Sequence, residues 1–166
     1  RTPQTHGENY KYLGCYLELF HLLKKYVPAY AVEAPKLFKL LLFNYLFSNG
    51  DAHFKNFSLL ETEMGDFILS PAYDLLNSRI HISDKDFALE EGLLPAALSN
   101  GNIVAHFRIL GREAELSEKQ VKTIIQQLST NQAEVKALIQ QSFLSDRLKR
   151  NYVQAYLRRL KKLEKS

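Results

Sequence analysis

The chain has 166 residues, of which 46% are hydrophobic, and this is enough for one domain with a packed core. No apolar run is long enough to span a bilayer, and the first residues contain no apolar signal segment, so neither a membrane span nor secretion is supported. The net charge of +4 is mild, and the single cysteine cannot form an internal disulfide, which favours a reducing cytoplasm. We therefore expect one cytoplasmic domain over residues 1–166.

Two helices are predicted in the first third of the chain. Apolar residues recur at helical spacing over residues 13–27 and stop at Pro28, which cannot continue a helix. Pro35 can occupy the first turn of a second helix, which then continues as a mostly buried segment to Phe47. The polar turn residues that follow break this helix, so Asp51 is expected in a loop directly after it.

A β-hairpin is predicted next. The apolar runs at residues 57–60 and 67–69 are joined by a polar segment that contains Gly65, a residue suited to a tight turn. Because a hairpin sends the chain out and back, its two ends lie close together. Asn56 at its entrance and Asp74 beyond its exit can therefore face one site.

The rest of the chain is predicted to be mostly helical. Residues 75–101 contain scattered glycine and proline and are expected to be loop with local helix. Three later helices are expected to begin at capping residues, Ser117, Asn131 and Ser145. The first two of these are followed three positions later by glutamine or glutamate, which is the capping-box pattern. The predicted fold class is thus mainly α with a small β-hairpin.

The last predicted helix is strongly basic. Its core-facing side is expected to contain Leu148, Tyr152, Tyr156, Leu160 and Leu163. Its basic residues are Arg147, Lys149, Arg150, Arg158, Arg159, Lys161, Lys162 and Lys165. We interpret these as the solvated face of an amphipathic helix, with a nucleic-acid or acidic partner as the alternative.

The candidate site consists of Asp51, His53, Asn56 and Asp74. Phosphoryl transfer requires a carboxylate that meets the incoming hydroxyl, for which we assign Asp51, and oxygen ligands for the Mg²⁺ that bridges the phosphates of ATP, for which we assign Asn56 and Asp74. His53 either donates near the transferred phosphate or braces the loop. Asp66 lies in the predicted hairpin turn and is not assigned to the metal.

These residues resemble those of the HipA-like kinases, the toxin components of bacterial toxin–antitoxin modules. The resemblance is carried by residues 43–60 and 69–76, and more weakly by Lys11-Tyr12-Leu13-Gly14, which looks like the segment before the first helix of the family's C-terminal lobe. By this resemblance Asp51 is the catalytic aspartate, and Asn56 and Asp74 are the magnesium ligands.

The resemblance implies the C-terminal helical lobe of a protein-kinase-like fold of the HipA and phosphatidylinositol-kinase-like type. It further implies transfer of the ATP γ-phosphate to a serine or threonine hydroxyl of a protein. Known members of the family phosphorylate aminoacyl-tRNA synthetases and are neutralised by a DNA-binding, HipB-like antitoxin.

The sequence shows no counterpart of the N-terminal lobe of such a kinase. It contains no strand-rich glycine loop and no strand lysine for the nucleotide phosphates, and it does not begin with methionine. We expect the N-lobe to be supplied in cis by a longer protein or in trans by another polypeptide, and we expect little activity from this chain alone.

Two other functions are compatible with the sequence. A small-molecule phosphotransferase of the aminoglycoside- or choline-kinase kind has loops that also read Gly-Asp-x-His-x-x-Asn, although the order Ser-Pro-Ala-Tyr-Asp over residues 70–74 favours the HipA type. A non-catalytic binding module that uses the basic C-terminal helix is the third possibility.

Overall fold

The computed structural model describes residues 11–78 and 86–164 and is mainly α-helical. In chain order the elements are α1 (Leu17–Tyr26), α2 (Tyr30–Leu46), β1 (Leu59–Glu61), β2 (Phe67–Leu69), α3 (Ile103–Glu113), α4 (Glu118–Ser129), α5 (Gln132–Gln141) and α6 (Asp146–Glu164). Strands β1 and β2 pair antiparallel, with Leu60 opposite Ile68. The mainly α fold with a small hairpin is confirmed.

Helix α2 is the buried centre of the lobe. It packs against α1, α4, α6 and β2, and apolar residues surround most of its circumference, which is typical of a helix enclosed by other elements. The aromatic side chains of α2 continue the packing outward, since Phe38 meets Phe107 of α3 edge-on and Tyr45 stacks on Phe87. The end of α2 is therefore a rigid base for the loop that follows it.

The prediction that α2 begins near Pro35 is wrong. The helix begins at Tyr30, because the carbonyl of Ala29 accepts hydrogen bonds from the amides of Val32 and Glu33 and closes the first turn before the proline is reached. Pro35 then lies inside the helix, where it removes one intrahelical hydrogen bond. The helix ends close to the predicted Phe47, whose amide still bonds back to the carbonyl of Phe43.

Helix α1 is shorter than the predicted helix over residues 13–27. Gly14 has φ +90, outside the helical region, and the amides of Tyr16 and Leu17 donate to the carbonyls of Gly92 and Leu93 instead of joining a helix. These partners belong to residues 86–94, which we call the strap. The predicted stop before Pro28 is confirmed, since α1 ends at Tyr26.

The helix starts after residue 101 were predicted with mixed success. Ser117 and Gln120 form both hydrogen bonds of a capping box, as predicted. Helix α5 begins directly after Asn131, but the Asn131 side chain makes no capping hydrogen bond, so the capping box predicted there is wrong. Helix α6 begins directly after Ser145.

Of the predicted loop over 75–101, residues 79–85 lie outside the described residues, as does Lys165 of the basic helix.

Helix α6 differs from the prediction at Arg159. Tyr156, Leu160 and Leu163 of the predicted core-facing side are buried, whereas Leu148 and Tyr152 are half-buried; Ala155, which was not predicted, is buried as well. Arg159 is predicted on the solvated face but is only 1% exposed, and its guanidinium donates to the carbonyls of Tyr45 and Asp86. In the part of the chain that the structure describes, no helix combines the length and the apolarity that crossing a membrane would require.

Candidate active site

The loop that carries Asp51 is fastened to the end of α2. Ser48 adopts a left-handed conformation with φ 57, and the amide of Asn49 donates to the carbonyl of Asn44 at 2.9 Å. The amide of Gly50 donates to the hydroxyl of Ser78 at 2.8 Å, and that hydroxyl in turn donates to the carbonyl of Ser48 at 3.2 Å. The loop is thus held from both sides before it reaches Asp51.

The hairpin brings Asn56 and Asp74 into contact. The Asn56 amide nitrogen donates to the Asp74 carboxylate, across 18 residues of sequence. Directly beyond them the Ser58 and Ser70 hydroxyls are 3.1 Å apart, and the Ser70 amide donates to the Ser58 carbonyl at 2.9 Å. The predicted closeness of the two side chains is therefore confirmed, and it follows from the closure of the hairpin base.

Asp74 is also tied to the loop after α2. Its backbone has φ 54, in the left-handed region that aspartate tolerates better than most residues. The Asn49 side-chain amide donates to the Asp74 carbonyl at 2.9 Å, and the neighbouring Tyr73 hydroxyl donates to the Lys55 carbonyl at 2.9 Å. Asn49 and Ser78, which sequence reasoning did not assign to the site, thereby join its two halves.

The oxygen atoms at the hairpin base suit a magnesium ion. The Oδ1 atom of Asn56 is buried and has no hydrogen-bond partner among the residues that the structure describes, and the exposed Asp74 offers a carboxylate beside it. Within residues 11–78 and 86–164, no group of three or more His, Cys, Asp or Glu side chains could hold a metal ion. A two-residue set fits Mg²⁺, which is commonly held by one or two protein groups together with water and phosphate.

Asp51 has a partner that the sequence prediction missed. The hydroxyl of Tyr12 donates to Oδ1 of Asp51 at 2.9 Å, and the Tyr12 ring meets the His53 ring edge-on with 5.6 Å between centroids. The sequence pointed to Tyr12 only through its place in the segment 11–14, which carries the weaker part of the family resemblance. Its contact with Asp51 joins residues 39 positions apart, so no local pattern reveals it.

His53 connects Asp51 and Asn56 through its backbone and is buried. Its amide donates to the Asp51 carbonyl at 2.7 Å, and its carbonyl accepts from the Asn56 amide at 2.9 Å. Burial lowers the pKa of the imidazole, and repulsion from Lys11 lowers it further, against an opposing attraction to Asp51. A neutral His53 can brace the loop or donate to a phosphate, and both predicted roles stay predictions.

Asp66 lies apart from this site. It is exposed and accepts a hydrogen bond from the Thr62 hydroxyl in the hairpin turn, as the sequence indicated. Lys55 is likewise exposed. Among the residues that the structure describes, neither side chain forms a hydrogen bond or an ion pair with Asp51, Asn56 or Asp74.

The fold and the loop geometry define the class of protein: a mainly helical lobe with an Asp-x-His-x-x-Asn loop at the base of a small hairpin. The chain belongs to the family of HipA-like C-terminal domains, whose family model matches residues 2–136.

The chain resembles known proteins in both sequence and structure. "Putative kinase Y4dM" of Sinorhizobium fredii (strain NBRC 101917 / NGR234) is 39% identical over 92 residues, which is 54% of this chain and 22% of that protein. A solved complex of the Shewanella oneidensis MR-1 toxin–antitoxin proteins HipA and HipB with operator DNA matches 94% of this chain and 38% of the solved chain, with a TM-score of 0.64 and 21% identity. The latter likeness shows a shared fold. The chain thus spans less than half the length of either protein.

Proposed function

We propose that this chain is the catalytic lobe of an ATP-dependent serine/threonine protein kinase of the HipA type. The observation that carries the proposal is the contact between the side-chain amide of Asn56 and the Asp74 carboxylate at the hairpin base. The buried Oδ1 atom of the same Asn56 side chain is available for a cation. Asp51 lies on the same backbone hydrogen-bond network, linked through His53.

Each side chain has a separate task in this proposal. Asn56 and Asp74 would hold Mg²⁺, which when bound neutralises charge on the nucleotide phosphates. Asp51 orients the acceptor hydroxyl and takes its proton late in the transfer. His53 stays neutral because burial opposes its protonation, so it can hold the loop without adding a charge beside Asp51. Positioning and charge neutralisation suffice for this reaction, which needs no covalent nucleophile.

We assign the remaining parts of the enzyme to other polypeptide segments. The relatives are much longer than the region they share with this chain, and we propose that an N-lobe, in cis or in trans, binds the nucleotide from the other side. Because the structural neighbour is a HipA–HipB–DNA complex, we propose a HipB-like antitoxin as partner. By family resemblance, the substrate is a cytoplasmic protein such as an aminoacyl-tRNA synthetase.

The test is phosphate transfer from γ-labelled ATP to protein by the full-length protein that contains this chain. Asp51→Asn and Asp74→Asn should each lower transfer by about 100-fold or more, because each removes a charge that the reaction uses. Asp66→Asn is the matched control, since it changes a carboxylate of the same hairpin that bonds to Thr62, and it should retain wild-type transfer. Full transfer by Asp51→Asn and Asp74→Asn would refute the proposal.

The second candidate is a small-molecule phosphotransferase, favoured by the order of Asp51, His53 and Asn56 along the loop. The two candidates share their chemistry and differ in the acceptor. Label that is transferred to an aminoglycoside or an amino alcohol but not to protein would decide for the second.

A further inference from the structure

Tyr12 presents a hydroxyl to the carboxylate that we assign to the acceptor. Its donor–acceptor distance to Oδ1 of Asp51 is 2.9 Å, which is within the normal range for an O–H···O hydrogen bond. Because aspartate can rotate about its side-chain bonds, a donor fixed from outside the loop restricts the directions in which the carboxylate points.

The scaffold that holds Tyr12 is separate from the Asp51 loop. The Tyr12 carbonyl accepts from the amide of Glu90 at 2.9 Å, and the Gly14 carbonyl accepts from the amide of Glu91 at 3.2 Å. The Lys11 ammonium lies 4.8 Å from the centroid of the Tyr12 ring, and His53 meets another part of this ring. The strap and these neighbours hold the phenol in place, so its hydroxyl is a fixed reference point for Asp51.

We propose that Tyr12 is a positioning residue for phosphoryl transfer, an inference that rests on the proposed function. Its hydroxyl donates a hydrogen bond to Oδ1 of Asp51 and so fixes the orientation of the carboxylate. This leaves Oδ2 to accept a hydrogen bond from the substrate hydroxyl that receives the phosphate. Tyr12 acts through Asp51 and takes no part in holding the nucleotide. Its removal therefore lowers the rate of the chemical step and leaves nucleotide binding unchanged.

The experiment compares Tyr12→Phe with Tyr30→Phe in the full-length protein. Both changes remove a single phenol hydroxyl, and the Tyr30 hydroxyl donates to the Ala114 carbonyl at 2.8 Å, between α2 and the end of α3. Tyr12→Phe should lower kcat for protein phosphorylation by about 10- to 100-fold, as expected for a misplaced catalytic group, with KM for ATP unchanged. Tyr30→Phe should retain both constants. Thermal unfolding of the two variants, measured in parallel, separates an effect on the site from a general loss of structure.

Three results would overturn the assignment. The first is a Tyr12→Phe protein with wild-type kcat, and the second is one with an altered KM for ATP but unchanged kcat. The third is a phosphate on Tyr12 itself after incubation with ATP, detected by peptide mass spectrometry, because the phenol would then be an acceptor. If wild-type protein transfers phosphate and Asp51→Asn does not, these results refute the role of Tyr12 alone. If wild-type protein transfers none, the proposed function falls and the role of Tyr12 with it.

Discussion

Arg159 should stabilise the end of α2 from a distance of 114 residues along the chain. Its guanidinium Nη1 donates to the Tyr45 carbonyl at 2.7 Å and to the Asp86 carbonyl at 3.0 Å, and its central carbon lies 4.9 Å from the Tyr45 ring centroid. Helix α2 has no basic residue in its own last turn, so Arg159 supplies the cation that the carbonyl end of a helix favours.

The magnitude for Arg159→Met follows from these contacts. Hydrogen bonds to charged groups contribute about 1.5–3 kcal/mol each, so the loss of two bonds costs about 3–6 kcal/mol. The Tyr45 carbonyl retains the Ser48 amide as a donor, and Asp86, whose side chain is 41% exposed, retains Lys162. These remaining partners lower the expected loss to about 3–4 kcal/mol of unfolding free energy.

The assay is equilibrium urea unfolding of the full-length protein followed by circular dichroism, with hydrogen exchange measured on the peptide that contains residues 45–51. Lys162→Met is the control, because Lys162 also pairs with Asp86, at 3.0 Å, but is half exposed, and it should cost less than about 1 kcal/mol. Faster exchange in that peptide should accompany Arg159→Met alone. A loss below about 1 kcal/mol for Arg159→Met, with unchanged exchange, would refute the reasoning.

Three further local features of the fold can be tested by substitution. Gly111→Ala should lower the urea midpoint and cost about 1–3 kcal/mol, because its new Cβ would lie 2.3 Å from a methyl group of Val121. Ser117→Ala should cost about 1 kcal/mol in thermal unfolding, whereas Asn131→Ala, which loses no capping bond, should stay within about 0.5 kcal/mol. Since burial lowers the His53 pKa, the unfolded chain binds the proton more readily than the folded one. The contribution of His53 to stability is therefore complete above about pH 6.5, the pKa of an unfolded histidine, and falls as the pH drops toward the lowered pKa of the folded state. His53→Gln removes this titration, so the urea midpoint of that variant should depend less on pH.

Each of these expectations has a contrary result. A wild-type urea midpoint for Gly111→Ala would mean that α3 and α4 can move apart to accommodate the new Cβ without loss of stability. Equal losses for Ser117→Ala and Asn131→Ala would remove the distinction between a formed and an unformed capping box. An unchanged pH dependence in His53→Gln would show that other groups cause it.

The candidate site was partly predictable because hairpin closure is a local property. Apolar runs on both sides of a turn specify that the chain returns, and this return brings Asn56 and Asp74 to the same end of the hairpin, where they meet. The contacts of Tyr12 with Asp51 and of Ser78 with Gly50 span 39 and 28 residues. They depend on how the strap and the loop pack, and no spacing in the sequence encodes them.

The sequence by itself determined the mainly helical class, the hairpin, the Ser117 capping box and the end of α1 before Pro28, because steric limits and short-range hydrogen bonds act within a few residues. Only the tertiary structure decided that α1 begins late, since the amides of Tyr16 and Leu17 find acceptors in the strap. It also decided that Arg159 is buried, since a charge leaves water only where the folded chain assembles carbonyls and a carboxylate to receive it.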